Sequence, residues 1–447
     1  MNTDQPQPTG APLLNVLVIA YYFPPMGLSG VQRTLKFVKY LPEFGWRPIV
    51  LTADETPYYA HDESLLEELS PLIESGQVRI VRTAESGAPA TRVAKKEGKV
   101  LKLPKAWYQR LRSKVIQTVL QPDSRIKWKK FALAEAEKIF AEEQIDAIFS
   151  TAPPYTDFLI ANELRKKHDV PYLMDYRDAW VANPVLNFYA TPFHKAYASK
   201  LEDMCLRGSS AITVASRRMK EVVLARYNFL SHEEVTIVTH GYDVEDIAAA
   251  WEIADKYRKP EKFLVTYGGA FYVGRTPQPM FDAVRLAMSI EPRLKDDLEL
   301  VFAGILQKEY LRSADKIGLT QNIVSTGYLP HRENIALLLA SDVLWMTMSD
   351  DLSAPGKLYE YFGTGRPILG LVPRQSVAEK LLVEYGAGVV AEPRNVKQIA
   401  DALLGLYRQW KSKSLPQEVN IPFVRSFNRR ELTKEIARQL RLMLRTQ

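Results

Sequence analysis

The chain has 447 residues, 46% hydrophobic and 25% charged, and its 59 Lys and Arg against 52 Asp and Glu give a formal charge of +7. At roughly 100–200 residues per domain this predicts two or three folding units of ordinary globular composition, and it excludes a disordered, collagenous or coiled-coil chain. The one cysteine, Cys205, cannot close an internal disulfide, and no Cys/His spacing matches a zinc site, so a cytoplasmic protein without a structural metal is expected.

Residues 1–12 are polar and proline-bearing, lack the order of a secretory signal and are expected to form a flexible tail. The apolar run over residues 13–23 is about half of the roughly 20 residues that cross a bilayer, and Pro24 and Pro25 end it, so no membrane span is expected. Short apolar runs then alternate with segments of helical period. Strands are predicted at 15–20, 48–52, 78–81, 147–150, 172–176, 211–215 and 235–238, and again at 263–267, 298–303, 323–326, 343–348 and 368–372. This alternation predicts α/β architecture with parallel sheets covered by helices. It restarts near residue 260, after a polar stretch at 248–260, which predicts two doubly wound domains facing each other: 13–247 and 248–425. Residues 426–447 hold apolar Leu432, Ile436, Leu440 and Leu444 at spacing four, an amphipathic helix with no strand after it.

One region breaks the pattern. Residues 92–130 carry thirteen Lys or Arg and two acids, Glu97 and Asp123. Within it Trp107, Leu111, Val115 and Val119 form an apolar stripe flanked by cations, as in a basic amphipathic helix lying on an anionic membrane face or packed on the first domain with its charges solvated. Nucleic acid is not an expected partner, since no recognition motif accompanies the charge.

Four loops follow predicted strands, on the edge where open α/β sheets bind ligands. The first, Phe23-Pro24-Pro25-Met26-Gly27-Leu28-Ser29-Gly30, runs into a helix near Arg33, and Gly27 and Gly30 either let amides approach an anion or serve as turn residues. At Met174-Asp175-Tyr176-Arg177-Asp178-Ala179-Trp180 two carboxylates flank an arginine, which reads equally as a buried network fixing the loop or as Asp178 contacting a substrate hydroxyl or leaving group. The third, Tyr267-Gly268-Gly269 through Arg275-Thr276-Pro277, suggests a diphosphate cradle of amides, helix dipole and fixed cation. The fourth, Pro355-Gly356-Lys357-Leu358-Tyr359-Glu360, sets Lys357 and Glu360 on one side of a helix, a lysine for phosphate and a carboxylate for ribose hydroxyls. None of the six histidines shows ligand or triad spacing.

With these residues in order, together with Ser150-Thr151-Ala152-Pro153-Pro154-Tyr155 and Thr239-His240-Gly241-Tyr242-Asp243, the chain resembles bacterial retaining glycosyltransferases of the GT-B fold, in the family 4 group, from Val16 to about Leu406. The resemblance implies two Rossmann-like domains across a cleft, a nucleotide-diphosphate sugar held mainly by the second, a saccharide or lipid-linked saccharide acceptor held mainly by the first, and a terminal helix returning to the first. By resemblance Arg275 and Lys357 are the diphosphate-binding cations and Glu360 the ribose-binding carboxylate, with no cofactor and no metal required. Many members carry a glutamate eight residues before Glu360; here that position is Leu352, so Asp350 or Asp351 is a candidate to replace it. The Asn usual before Gly-Tyr-Asp is His240. The implied role is surface-polysaccharide or glycolipid assembly at the inner membrane face. A nucleotide-sugar 2-epimerase and a non-catalytic nucleotide-sugar-binding scaffold are the competing readings, separated from a transferase by acceptor-dependent release of nucleotide.

Overall fold

The structure is a computed structural model and describes residues 13–27, 29–54, 61–84, 120–182, 189, 191–271, 275–351 and 354–445. The chain divides into two compact units, residues 1–239 with 429–447 and residues 240–428. The division thus comes at Thr239, ahead of the polar stretch at 248–260, because the helix Val244–Trp251 packs on the helix His331–Ala340 of the second unit.

In the first unit seven parallel strands are described: β1 (Leu14–Ile19), β2 (Trp46–Ala53), β3 (Arg79–Thr83), β4 (Ala147–Ala152), β5 (Tyr172–Tyr176), β6 (Ala211–Val214) and β7 (Val235–Ile237), in the order β3-β2-β1-β4-β5-β6-β7. The order reverses between β1 and β4, which pair from Val16 with Ala147 to Ile19 with Ser150. Helices cover both faces, so β4 and β5 are buried along their whole length, and they read in sequence as mainly apolar runs interrupted by Ser150 and Thr151 in β4 and Asp175 in β5. The helix Arg429–Arg445 belongs to this unit. Its Ile436, Ala437, Leu440 and Met443 share a core with Val16, Val18, Leu35 and Val38, while Arg441 donates to the Phe44 carbonyl at 2.9 Å. Burying each of the three large side chains stabilises the unit by at most about 1.5–3 kcal/mol.

The apolar stripe from Trp107 to Val119 lies outside the described residues. The end of the basic stretch is described and is tied to the sheet edge. The Asp123 carboxylate accepts from the Thr156 amide and hydroxyl at 2.9 Å each, which satisfies donors at the start of the helix Thr156–His168. Arg125 stacks on Tyr21, its guanidinium carbon 4.7 Å from the ring centroid.

The second unit repeats the design with β8 (Phe263–Gly268), β9 (Leu298–Ala303), β10 (Ile323–Gly327), β11 (Val343–Thr347), β12 (Ile368–Leu371) and β13 (Gly388–Ala391), all parallel in the order β10-β9-β8-β11-β12-β13. Strand β13 is an edge strand that the sequence pattern misses. At the reversal, β8 and β11 pair only at Val265 with Val343 and Thr266 with Leu344, whereas β8 pairs with β9 along its full length. Beyond Thr266 the two strands therefore separate, and the crevice they leave is where this architecture places its ligand site.

Candidate functional site

In the first unit the sequence-predicted acids have different fates. Asp175, at the end of β5, is fully buried and grips Arg33 in a two-pronged ion pair, Nε to Oδ2 at 2.9 Å and Nη2 to Oδ1 at 2.8 Å. Arg33 also donates to the Val238 and Thr239 carbonyls, and Asp175 accepts from the hydroxyls of Thr151 at 2.8 Å and Thr213 at 2.9 Å. Burial alone would push the Asp175 carboxyl up; the Arg33 guanidinium and the two hydroxyls outweigh it and hold the group below its ordinary value. Asp175 is therefore the structural carboxylate of the pair, and its partner is Arg33 rather than the adjacent Arg177.

Arg177 instead clamps the glycine loop, donating to the Gly30 carbonyl at 2.6 Å and the Pro153 carbonyl at 3.1 Å. Gly27 is buried and Gly30 exposed. Asp178 keeps a carboxylate 43% exposed, 3.8 Å from Arg177 Nε. The loop carrying it is held from beneath: Tyr155 donates to the Ala179 carbonyl at 2.7 Å and stacks on Trp180 at 4.6 Å, and the Trp180 amide donates to the Tyr176 hydroxyl at 2.6 Å. Asp178 is thus a polar group on a rigidly seated loop at the ligand-binding edge.

In the second unit Gly268, Gly269, Arg275, Lys357 and Glu360 are drawn to the crevice between β8 and β11. The helix Gly356–Thr364 begins there and ends in a left-handed Gly365. Lys357 Nζ donates to the Gly268 carbonyl at 2.8 Å and lies 3.8 Å from the centroid of the Tyr267 ring. Burial and the Arg275 charge push its ammonium well below the ordinary lysine range, with Glu360 acting the other way. Glu360 is itself largely buried.

The glycines act differently from the amide cradle expected of them. The Gly268 amide donates to the Tyr361 hydroxyl at 2.7 Å and the Gly269 amide to the Ala303 carbonyl at 2.7 Å, so both donors are already used inside the fold. What the pair supplies is shape. Gly269 has φ +98°, and a β-carbon on it would stand 3.6 Å from Lys357 Nζ. Gly304 passes so close behind that a β-carbon there would lie 2.6 Å from the Gly269 carbonyl oxygen. Sequence reasoning missed Gly304, although a glycine directly after a strand is the same signal that marks Gly268 and Gly269. It also missed Tyr361, whose hydroxyl bridges the separated strands by taking the Gly268 amide and facing the Trp345 carbonyl at 3.4 Å. Arg275 Nη2 lies 3.9 Å from buried Asp350, whereas Asp351 is exposed and Leu352 lies outside the described residues. Of the two candidate acids, Asp350 is the one near Arg275.

Residues 29–246 match the family model described as Glycosyltransferase Family 4, and residues 269–409 match Glycosyl transferases group 1. The chain is a glycosyltransferase of GT-B type. Solved structures agree on the fold. The Anabaena protein HepE, crystallised in complex with UDP and glucose, is 12% identical with a TM-score of 0.63, covering 96% of this chain and 100% of its own. Sucrose-phosphate synthase from Thermosynechococcus elongatus is 13% identical with a TM-score of 0.64, covering 97% and 100%. A glycosyltransferase from Rickettsia africae is 12% identical with a TM-score of 0.63, again covering 97% and 100%. A search of curated protein sequences finds no match. In this glycosyltransferase each unit carries polar groups in the segments that follow its own parallel strands: Asp178 and the Gly27 to Gly30 loop in the first, Arg275, Lys357 and Glu360 in the second.

Proposed function

We propose that the second unit binds a nucleoside-diphosphate sugar and that the enzyme transfers the sugar, with retention, to a hydroxyl of a saccharide or lipid-linked saccharide. The observation that carries this reading is the setting of Lys357. Its ammonium is held by a carbonyl and an aromatic face, and among the described residues no carboxylate lies within 4.0 Å of it. Neutral partners orient the charge without cancelling it, which suits an anion arriving from solution. That HepE, on the same fold, is seen with UDP and glucose supports a nucleotide-sugar donor.

In this reading Lys357 and Arg275 take the diphosphate and Glu360 the ribose hydroxyls. The bond from the anomeric carbon to the diphosphate oxygen breaks, the acceptor oxygen bonds to that carbon on the face being vacated, and the acceptor proton passes to the released phosphate. The two cations stabilise the negative charge that grows on the leaving group, so neither a metal ion nor a carboxylate nucleophile is required. Asp178 and the Gly27 to Gly30 loop are assigned to the acceptor side. Release of nucleoside diphosphate is expected to depend on added acceptor and to continue undiminished in excess EDTA. Loss of activity in EDTA that Mg²⁺ restores would remove the metal-free mechanism, and conversion of the nucleotide sugar into its C2 epimer without acceptor would favour an epimerase.

The acceptor class follows from charge. No helix among the described residues is long and apolar enough to cross a membrane. The basic stretch at 92–130 suits the anionic inner face of a bacterial membrane, where each Lys or Arg contributes about 1 kcal/mol, and hence a lipid-linked acceptor in surface-polysaccharide or glycolipid assembly. A protein that ignores anionic vesicles at low salt would lose this part of the reading.

A further inference from the structure

Tyr267 is the penultimate residue of β8 and is fully buried. The Phe271 ring stacks on it at 4.2 Å between centroids, with only 9° between the planes, and so covers one face. Lys357 Nζ, 3.8 Å from the same centroid, must occupy the other face. Trp345 abuts the ring at 4.8 Å and limits its rotation. The Tyr267 hydroxyl donates to the Ala270 carbonyl at 3.5 Å, away from the two ring faces.

We propose that Tyr267 is a positioning residue for the donor site, holding Lys357 against one face of its ring while Phe271 fixes the ring from the other. The inference rests on reading the second unit as a diphosphate site. An aromatic face attracts an ammonium through its quadrupole and leaves the positive charge in place, where a carboxylate would neutralise it. The opposite face is covered by Phe271, whose stacked ring keeps Tyr267 from turning its face away from Lys357. The Gly268 carbonyl takes one ammonium hydrogen, the ring covers a second direction, and the remainder of the ammonium is left for an anion.

Inorganic pyrophosphate is the probe, and its dissociation constant is read by calorimetry on the full chain. Tyr267→Phe is expected to bind within about twofold of the parent, because the ring face is kept. Replacing Tyr267 by mono-, di- and trifluorinated phenylalanine preserves shape and packing while draining the ring face of negative potential. Affinity should fall stepwise, to about tenfold weaker at the third fluorine. The alkaline limb of pyrophosphate binding should move to lower pH along the same series, a shift that a purely structural role would not produce. In a Lys357→Ala background the fluorine dependence should vanish. A flat series, with Lys357→Ala still weakening pyrophosphate, would overturn the role of Tyr267 and leave the donor site standing. Lys357→Ala binding pyrophosphate as well as the parent would overturn both.

Discussion

Asp175→Ala is expected to destabilise the first unit by about 3–5 kcal/mol, the usual cost of leaving one member of a buried ion pair without its partner. Both members are almost completely buried, and the Thr151 and Thr213 hydroxyls lose their acceptor at the same time. Removing both charges, as in Arg33→Met with Asp175→Leu, should recover only part of the loss. The guanidinium also satisfies the Val238 and Thr239 carbonyls, which would be left without it. Hydrogen exchange of the β5 amides reports on this unit alone, and a loss of less than about 1 kcal/mol in Asp175→Ala would show that the pair contributes little. The pH dependence has a defined sign. The folded carboxyl titrates below its ordinary value of 3.8, so its contribution is fully present above that value and is lost as pH falls through the lower, folded one.

This ion pair shows where reading the sequence stops. Arg33 and Asp175 are 142 positions apart, and the local pattern at residues 174–178 offers Arg177 as the nearer partner. Only the parallel order that brings the helix after β1 over β5 makes the distant arginine the better fit. The elements themselves are legible where burial on both faces makes a short stretch mainly apolar, as in β5 and β9, whose predicted and observed limits coincide although each holds one acid, Asp175 and Glu299. β13 is hidden for the converse reason. It has four residues, a glycine first, and an edge position whose Val389 and Val390 stay partly exposed, so no run marks it. At the β8–β11 crevice the charged residues stand out in sequence because they cluster in loops after strands. Tyr361 and Tyr267 do not, because a buried tyrosine in a strand or helix looks like core until its partners are known.

The second large effect is expected at Lys357. Lys357→Met keeps an unbranched side chain that can still lie over the Tyr267 ring through a sulfur contact, so the local packing is preserved while the charge is removed. Turnover should fall by about 10²–10³, the loss seen when one preorganised group that stabilises transition-state charge is deleted. Stability should move the other way. Because the folded site depresses the ammonium's titration, the charged form is disfavoured in the fold, and this cost is present at every pH where the unfolded lysine is charged. Removing the charge should therefore leave the second unit as stable as the parent, or more so, by thermal unfolding at neutral pH. A variant that is stabilised and inactive marks a residue retained for what it binds, since folding alone gains nothing from it. Binding adds a further signature. An arriving diphosphate favours the charged lysine, so at pH values above its depressed titration point binding should take up a proton, visible as a dependence of the calorimetric heat on the buffer's ionisation enthalpy and absent from Lys357→Met. Turnover within about threefold of the parent in a folded Lys357→Met would remove Lys357 from the chemistry. The cation at the mouth of the β8–β11 crevice would then fall to Arg275, which faces Asp350 at 3.9 Å.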